Sequence, residues 1–434
     1  MRLFWLSVVA ALLWCSSVAA NPLDEFGFGA RSISLGGAAT AAADDFSANY
    51  YNPAAVAEGD WLRLELGYVS SRPSLEINGQ DQAVDVSEGF QGGLVVPGDV
   101  LSRRVGASVG IHLPDARVTR LRALPERQPR WVVYDNRPQR LVIAASLAIE
   151  LFEDLYVGGG LTFLANTKGQ VDIRGDVGAL DVDKTVLISS VDVDLPAIRY
   201  PSAGVLWTPG NWRFGFAFRG EFNLAIDLGL RVTADIAETP HEDEATFAIR
   251  SRSVNLFSPR QYSLGTAYDG PGWLVSFDLQ YLEWSRFPSP TARVDIELDV
   301  PGLNLTVPPV AVPRKPRFKD IVVMRFGAEY RVYDGRYVSL DVRGGYFFEP
   351  SPAPDQPSVT NFVDADKHGI AGGFGVEIHD ATAVLPGPLV LDFAMQGIVL
   401  DERQYLKSDP ADPVGDYAAT GHVLGGAATC KFLF

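Results

Sequence analysis

Cysteine is almost missing from these 434 residues. Cys15 and Cys430 are the only two, which excludes a disulfide framework as the source of stability. Histidine is scarce as well, and His112, His241, His368, His379 and His422 show no metal-ligand spacing, so no metal centre is expected. Beyond the first twenty residues no uncharged apolar run approaches the ~18 residues that a membrane helix requires. The best candidate, from Leu141 to Phe152, is short and contains Glu150. Positive charge is in deficit, with 37 Lys and Arg against 53 Asp and Glu for a formal net charge of −16; this argues against a nucleic-acid partner.

Catalytic patterns are missing too. Gly158-Gly159-Gly160 lacks the further spaced glycines and the helix of a phosphate-binding loop. Gly106-Ala-Ser-Val-Gly110 has the spacing of a nucleophile elbow, yet it lies in an alternating β pattern with no helix behind it to form the strained turn. Neither an enzymatic activity nor a cofactor is expected.

What is present begins with a leader. Arg2, an apolar run from Leu3 to Trp14 and Val18-Ala19-Ala20 match a charged region, a hydrophobic region and a small-residue cleavage site. Residues 1–20 are therefore expected to be a signal peptide, with Asn21 as the first mature residue. Trp14 is too bulky for the position before a lipidated cysteine, so Cys15 leaves with the leader and Cys430 stays as a small apolar strand residue.

The remainder alternates. In Trp61-Leu-Arg-Leu-Glu-Leu-Gly-Tyr68 the leucines and Tyr68 share one face while Arg63, Glu65 and Gly67 share the other. The same phase runs through Leu141, Ile143, Ala145, Leu147 and Ile149, opposed to Ser146 and Glu150, and through Trp212, Phe214, Phe216 and Phe218, opposed to Arg213 and Arg219. Further strands are predicted near 105–111, 155–165, 202–208, 261–269, 273–283, 322–332, 338–348, 368–378 and 389–400, with weaker patterns between Gly89 and Val96 and between Gln170 and Val254, and with polar or proline-rich connections between several of them. Tyr68, Trp207, Trp212, Trp273, Tyr281 and Tyr330 fall near strand ends, as the aromatic girdles of a membrane barrel do. The last thirteen residues, from His422 to Phe434, keep Leu424, Ala428, Cys430, Phe432 and Phe434 in phase and end on an aromatic. Such an ending looks like the terminal strand of a bacterial outer-membrane barrel.

The segment NPLDEFGFGARSISLGGAATAAADDFSANYYNPA, from Asn21 to Ala54, is rich in Gly and Ala and has no long apolar period, so it cannot bury a core by itself. It resembles the N-terminal hatch of the FadL/TodX-type transporters of long-chain fatty acids and hydrocarbons. The resemblance continues through Pro259-Arg-Gln-Tyr-Ser-Leu-Gly-Thr-Ala-Tyr268, the Trp284-Ser-Arg-Phe287 element, Gly345-Tyr-Phe-Phe-Glu-Pro-Ser-Pro-Ala-Pro-Asp355 and His368-Gly-Ile-Ala-Gly-Gly-Phe-Gly375. It implies an all-β fold, a transmembrane antiparallel β-barrel of about fourteen strands with the hatch inside, an even number as bacterial barrels have. The implied organisation is residues 1–20 as leader, 21–58 as hatch and 59–434 as barrel.

Function follows from the same resemblance. A barrel of this family in the bacterial outer membrane would take up long-chain fatty acids or other hydrophobic molecules passively and release them sideways through its wall. A lateral exit suits the cargo, because an acyl chain gains roughly 0.8 kcal/mol per CH₂ on entering the bilayer. Phe26 and Phe28 are the expected apolar ligand contacts near the hatch terminus. Strand phase points Arg213, Arg219, Arg325 and Arg343 into the lumen, where they either meet a ligand carboxylate or hold hatch and wall together. Asn52, Pro53, Ala54 and Pro114 are the expected gate, Pro114 breaking a strand that resembles the family's kinked wall strand. Seven arginines between 117 and 140, among them Arg117, Arg120 and Arg122, are candidates for capturing anionic ligands or touching lipopolysaccharide phosphates. Other expected partners are outer-membrane lipid and the barrel assembly machinery, with the protein a monomer. A barrel acting as a scaffold or shuttle for exported proteins is the alternative.

Overall fold

Period-two alternation becomes a closed wall in the computed structural model, which describes residues 22–115, 128–134, 141–165, 168–178, 186–194, 197–237, 244–289, 293–299, 315–380 and 386–434. The expected leader lies outside the described residues. Fourteen strands form the wall: β1 (Arg63–Ile77), β2 (Ser87–Val100), β3 (Arg103–Pro114), β4 (Val142–Phe152), β5 (Leu155–Ala165), β6 (Ala197–Trp207), β7 (Trp212–Arg219), β8 (Gln261–Gly270), β9 (Trp273–Leu282), β10 (Ile321–Asp334), β11 (Val338–Glu349), β12 (Lys367–Ile378), β13 (Leu389–Tyr405) and β14 (Tyr417–Leu433). Each pairs antiparallel with its sequence neighbours. β1 also pairs with β14, from Arg63 opposite Leu433 to Ile77 opposite Ala419, and this closes the sheet so that no edge is left.

Every strand predicted in the wall overlaps one of these, overrunning it by no more than two residues at an end, as at Trp61–Leu62, Leu141, Thr208 and Glu283. Side chains follow the predicted phase. Trp212, Phe214 and Phe216 are exposed on the outside, while Gly215, Ala217 and Arg219 are buried within. At one end the connections are tight, such as those between Val100 and Arg103 or between Gly270 and Trp273; at the other they are long. One long-loop region carries a separate five-stranded sheet of Lys168–Gly178, Val186–Asp194, Phe222–Ala237, Glu244–Ser258 and Arg293–Asp299. Its pairing of Phe222–Ala237 with Lys168–Gly178 is parallel.

Residues 22–58 sit inside the barrel. They contain three single-turn helices, α1 (Pro22–Phe26), α2 (Ala30–Ser34) and α3 (Ala48–Tyr51), and a 3₁₀ turn at Pro53–Ala57. Helices this short are unstable alone; the wall supplies their packing. Contact is close because both sides are glycine: a Cβ on Gly345 of β11 would lie 2.1 Å from the Gly36 backbone nitrogen, and Gly36 itself has φ +65°. The small-residue run Gly106 to Gly110 serves the same purpose, as its glycines face Val56 and Phe28 and its Ser108 accepts a 2.6 Å bond from Asn49.

Candidate functional site

Ion pairs hold the hatch to the wall. Arg31 of α2 reaches Glu329 of β10 with two bonds of 2.9 and 3.0 Å and donates to the Ala42 carbonyl at 2.8 Å. Arg343 joins the same Glu329 and bonds Asp392 at 2.5 Å. Arg213 bonds the Ala41 carbonyl at 2.6 Å and makes a two-bond pair with Glu58 at 3.1 and 2.6 Å. Asp278 accepts from both the backbone and the hydroxyl of Thr40. Arg213 and Arg343 are thus occupied by the hatch and the wall.

Arg219 and Arg325 lie instead beside the hatch terminus. Arg219 pairs with Asp24 at 3.2 Å and stacks over the Tyr50 ring at 3.6 Å. Asp24 also accepts from the hydroxyls of Tyr50 and Ser258. Arg325 donates to the Gly36 carbonyl at 3.1 Å and to Gln280 at 2.9 Å, with its guanidinium over the Phe347 ring. Lys367, the first residue of β12, completes the group by bonding Glu349 at 2.9 Å while standing 3.8 Å from Glu25 and 3.9 Å from Asp364. Burial pushes the Glu25 carboxyl up to about 7; Lys367 opposes the shift, while Glu349 and Asp364 add to it. A cavity of about 50 Å³ remains between these groups.

Toward the long-loop end the barrel interior is a chamber filled by apolar side chains. Phe26 of α1, Phe257, Trp284, Phe287, Phe318, Phe347 and Phe362 belong to its buried cluster. Phe28 does not; it is buried among hatch residues, edge-on to Phe46 at 4.6 Å. Part of the chamber comes from the arginine-rich loop that follows β3. Trp131, Val132, Val133 and Tyr134 are all buried in the chamber cluster. The apolar run Trp-Val-Val-Tyr in an otherwise polar loop was the available signal. Arg117, Arg120 and Arg122 lie outside the described residues.

A closed barrel with an internal hatch of this geometry has known counterparts. The family description "outer membrane protein transport protein (OMPP1/FadL/TodX)" matches residues 8–432. The chain belongs to this family. Members of the FadL/TodX family are outer-membrane channels for hydrophobic compounds, so the barrel is a bacterial outer-membrane transport protein. Alkane uptake protein A of Marinobacter nauticus is 22% identical over 416 residues, covering 90% of this chain and 86% of that one. The solved structure of a Pseudomonas aeruginosa FadL homologue superposes with a TM-score of 0.57 at 14% identity, covering 93% of this chain and 98% of that chain. The Pseudomonas putida toluene transporter TodX gives 0.52 at 14% identity, with 94% and 99% covered. The family's membrane places the tight turns in the periplasm and the long loops outside the cell.

In the FadL/TodX frame, Asn52-Pro53-Ala54 lies against the wall. Asn52 caps the 3₁₀ turn, its side-chain oxygen accepting from the Ala54 N–H at 3.1 Å, and its amide donates to Thr40 and to Val205 of β6 at 2.9 and 3.1 Å. Close approach is possible because Gly158 and Gly204 face Pro53 and Asn52. Across β3 to β6 two inward rows in register contain only small residues, Gly106, Ala148, Gly158 and Gly204, then Ser108, Ser146, Gly160 and Ser202. The outer face of β3, β4 and β5 is indented by a groove of about 590 Å³, where Ala107, Ala145 and Gly159 stand between Leu94, Leu147 and Leu161. Pro114 ends β3 opposite Gly89, and the β3–β4 ladder is continuous from Val105 to His112.

Proposed function

We propose that this barrel takes up neutral hydrocarbons passively and releases them laterally through the wall of β3 to β6. The observation that carries the reading is the aromatic chamber above the hatch terminus, because the cations at its base are already engaged. Arg219 faces Asp24, Lys367 faces Glu349 and Arg325 is bonded to Gly36 and Gln280. A fatty-acid carboxylate would have to break a buried ion pair at Arg219 or Lys367, at a cost of several kcal/mol, or displace the hydrogen bonds of Arg325; a hydrocarbon needs only the apolar surface. Likeness to the alkane uptake protein supports the same cargo class. Release would use the small-residue panel behind Asn52-Pro53-Ala54, where only glycine, alanine and serine stand between the hatch and the lipid-facing groove. Phe26 is the proposed hatch contact for cargo, and Arg219 and Arg325 are its positioning residues. Phe434, whose N–H and carbonyl both pair with Leu62, is the proposed signal to the assembly machinery.

The test compares labelled hexadecane with labelled palmitate in cells whose only uptake barrel is this chain. Hexadecane should accumulate faster than in cells without the barrel, and palmitate should not. Uptake of palmitate alone would overturn the cargo assignment.

A further inference from the structure

We propose that the loop segment 130–134 is a displaceable occupant of the cargo chamber, and that hydrocarbon binds in the volume its side chains now fill. The inference rests on the uptake reading and adds to it the place where cargo binds. Trp131 and Val132 are 1% exposed, Val133 is 4% and Tyr134 is 0%. These side chains share a cluster with Phe26, Trp284 and Phe347. The cavity of about 50 Å³ at the hatch terminus touches this cluster at Trp284 and Phe347 and is not lined by the segment; it has room on the order of a few waters. A hydrocarbon chain can enter the chamber only if something leaves.

Attachment distinguishes the segment from the wall and hatch side chains of the chamber. The strand side chains are fixed by the ladder, and the hatch is tied down by the ion pairs of Arg31 and Arg213. Segment 130–134 belongs to neither. It lies beside Phe362–Val363 in a two-residue parallel pairing, with Arg130 N–H donating to Asn361 and Val132 N–H to Val363, both at 3.2 Å. The dock itself is firm. Lys407 donates to the carbonyls of Gln356 and Thr360 and to the Asn361 side chain, and the Tyr405 hydroxyl bonds the Asp364 carbonyl. The docked segment also carries an unfavourable feature, since the Trp131 indole N–H is buried without a hydrogen-bond partner among the described residues. An indole, two isopropyl groups and a phenol imitate an aromatic and branched aliphatic hydrocarbon, so cargo of that class can replace them contact for contact. Tyr134 lies 5.3 Å from the Lys367 ammonium at the hatch terminus, which puts the far end of the occupant beside the residues that cargo must next pass.

The experiment locks the segment in place reversibly. Arg130 and Phe362 are register partners, so an Arg130→Cys/Phe362→Cys protein can be oxidised and reduced without changing its sequence. Purified barrel is titrated with the apolar fluorophore 1-N-phenylnaphthylamine, and hexadecane uptake is measured in cells. The oxidised form should bind the probe at least ~10-fold more weakly than the reduced form. Equal binding in both states overturns the proposal, whatever uptake shows. Tight binding to the reduced form without hexadecane uptake supports the occupant and overturns the uptake reading instead. Trp131→Ala is an independent arm: it vacates part of the chamber and should tighten probe binding, and unchanged or weaker binding counts against the proposal.

Discussion

Glu25 of the hatch and Lys367 of the wall face each other at 3.8 Å inside the barrel, and Glu349 and Asp364 stand against the same ammonium. Three carboxylates therefore share one lysine. Because burial and the two neighbouring acids raise Glu25 from 4.5 to about 7, the docked hatch terminus binds a proton more tightly than the undocked one. The stability this contributes is fully present below pH 4.5 and is lost as pH rises through about 7, on the order of 3 kcal/mol in all. Amide protection factors of residues 23–27 should fall between pH 6 and pH 8.5. In Glu25→Gln the protection should be independent of pH over that range; a dependence that persists would place the titrating group elsewhere.

Ala54→Trp tests the exit. Ala54 is fully buried and its backbone nitrogen faces Gly158 of β5, so an indole there must push the 3₁₀ turn off the wall or fill the panel from within. Overpacking of this kind costs about 1–3 kcal/mol locally, which the barrel ladder can absorb. Heat-modifiable mobility on gels should be retained while hexadecane uptake falls about tenfold. Full uptake by a folded variant would move the exit away from Asn52-Pro53-Ala54.

Gly345→Val tests whether the hatch depends on glycine contact. The new Cβ would sit 2.1 Å from the Gly36 nitrogen and 2.3 Å from the Leu35 carbonyl carbon, backbone atoms that cannot rotate aside. The wall should still form, since valine suits a strand. The hatch should seat poorly, so sensitivity to a large polar antibiotic such as vancomycin should rise with membrane levels unchanged. Unaltered sensitivity would show that the hatch can shift to accept the side chain.

The wall was legible in the sequence for a local reason. Successive strand side chains point to opposite faces, so Leu62, Leu64, Leu66 and Tyr68, or Trp212, Phe214 and Phe216, declare the lipid side without knowledge of any neighbour. The same phase sent Arg213, Arg219, Arg325 and Arg343 inward. Their partners lie far away in the chain: Arg325 meets Gly36, 289 positions away, and Arg213 meets Glu58, 155 away. No periodicity encodes such pairs. Whether an inward arginine anchors the hatch or borders the chamber was decided only when the barrel closed around residues 22–58. Segment 130–134 shows the same limit, since a short apolar run inside an arginine-rich loop acquires its meaning only from Phe362–Val363, which no local rule connects to it. The sequence by itself determined the strands, their two faces and the family. Tertiary structure alone decided which buried charges are already paired and which side chains fill the chamber, because both depend on contacts between residues that are remote in the chain and adjacent only inside a closed sheet.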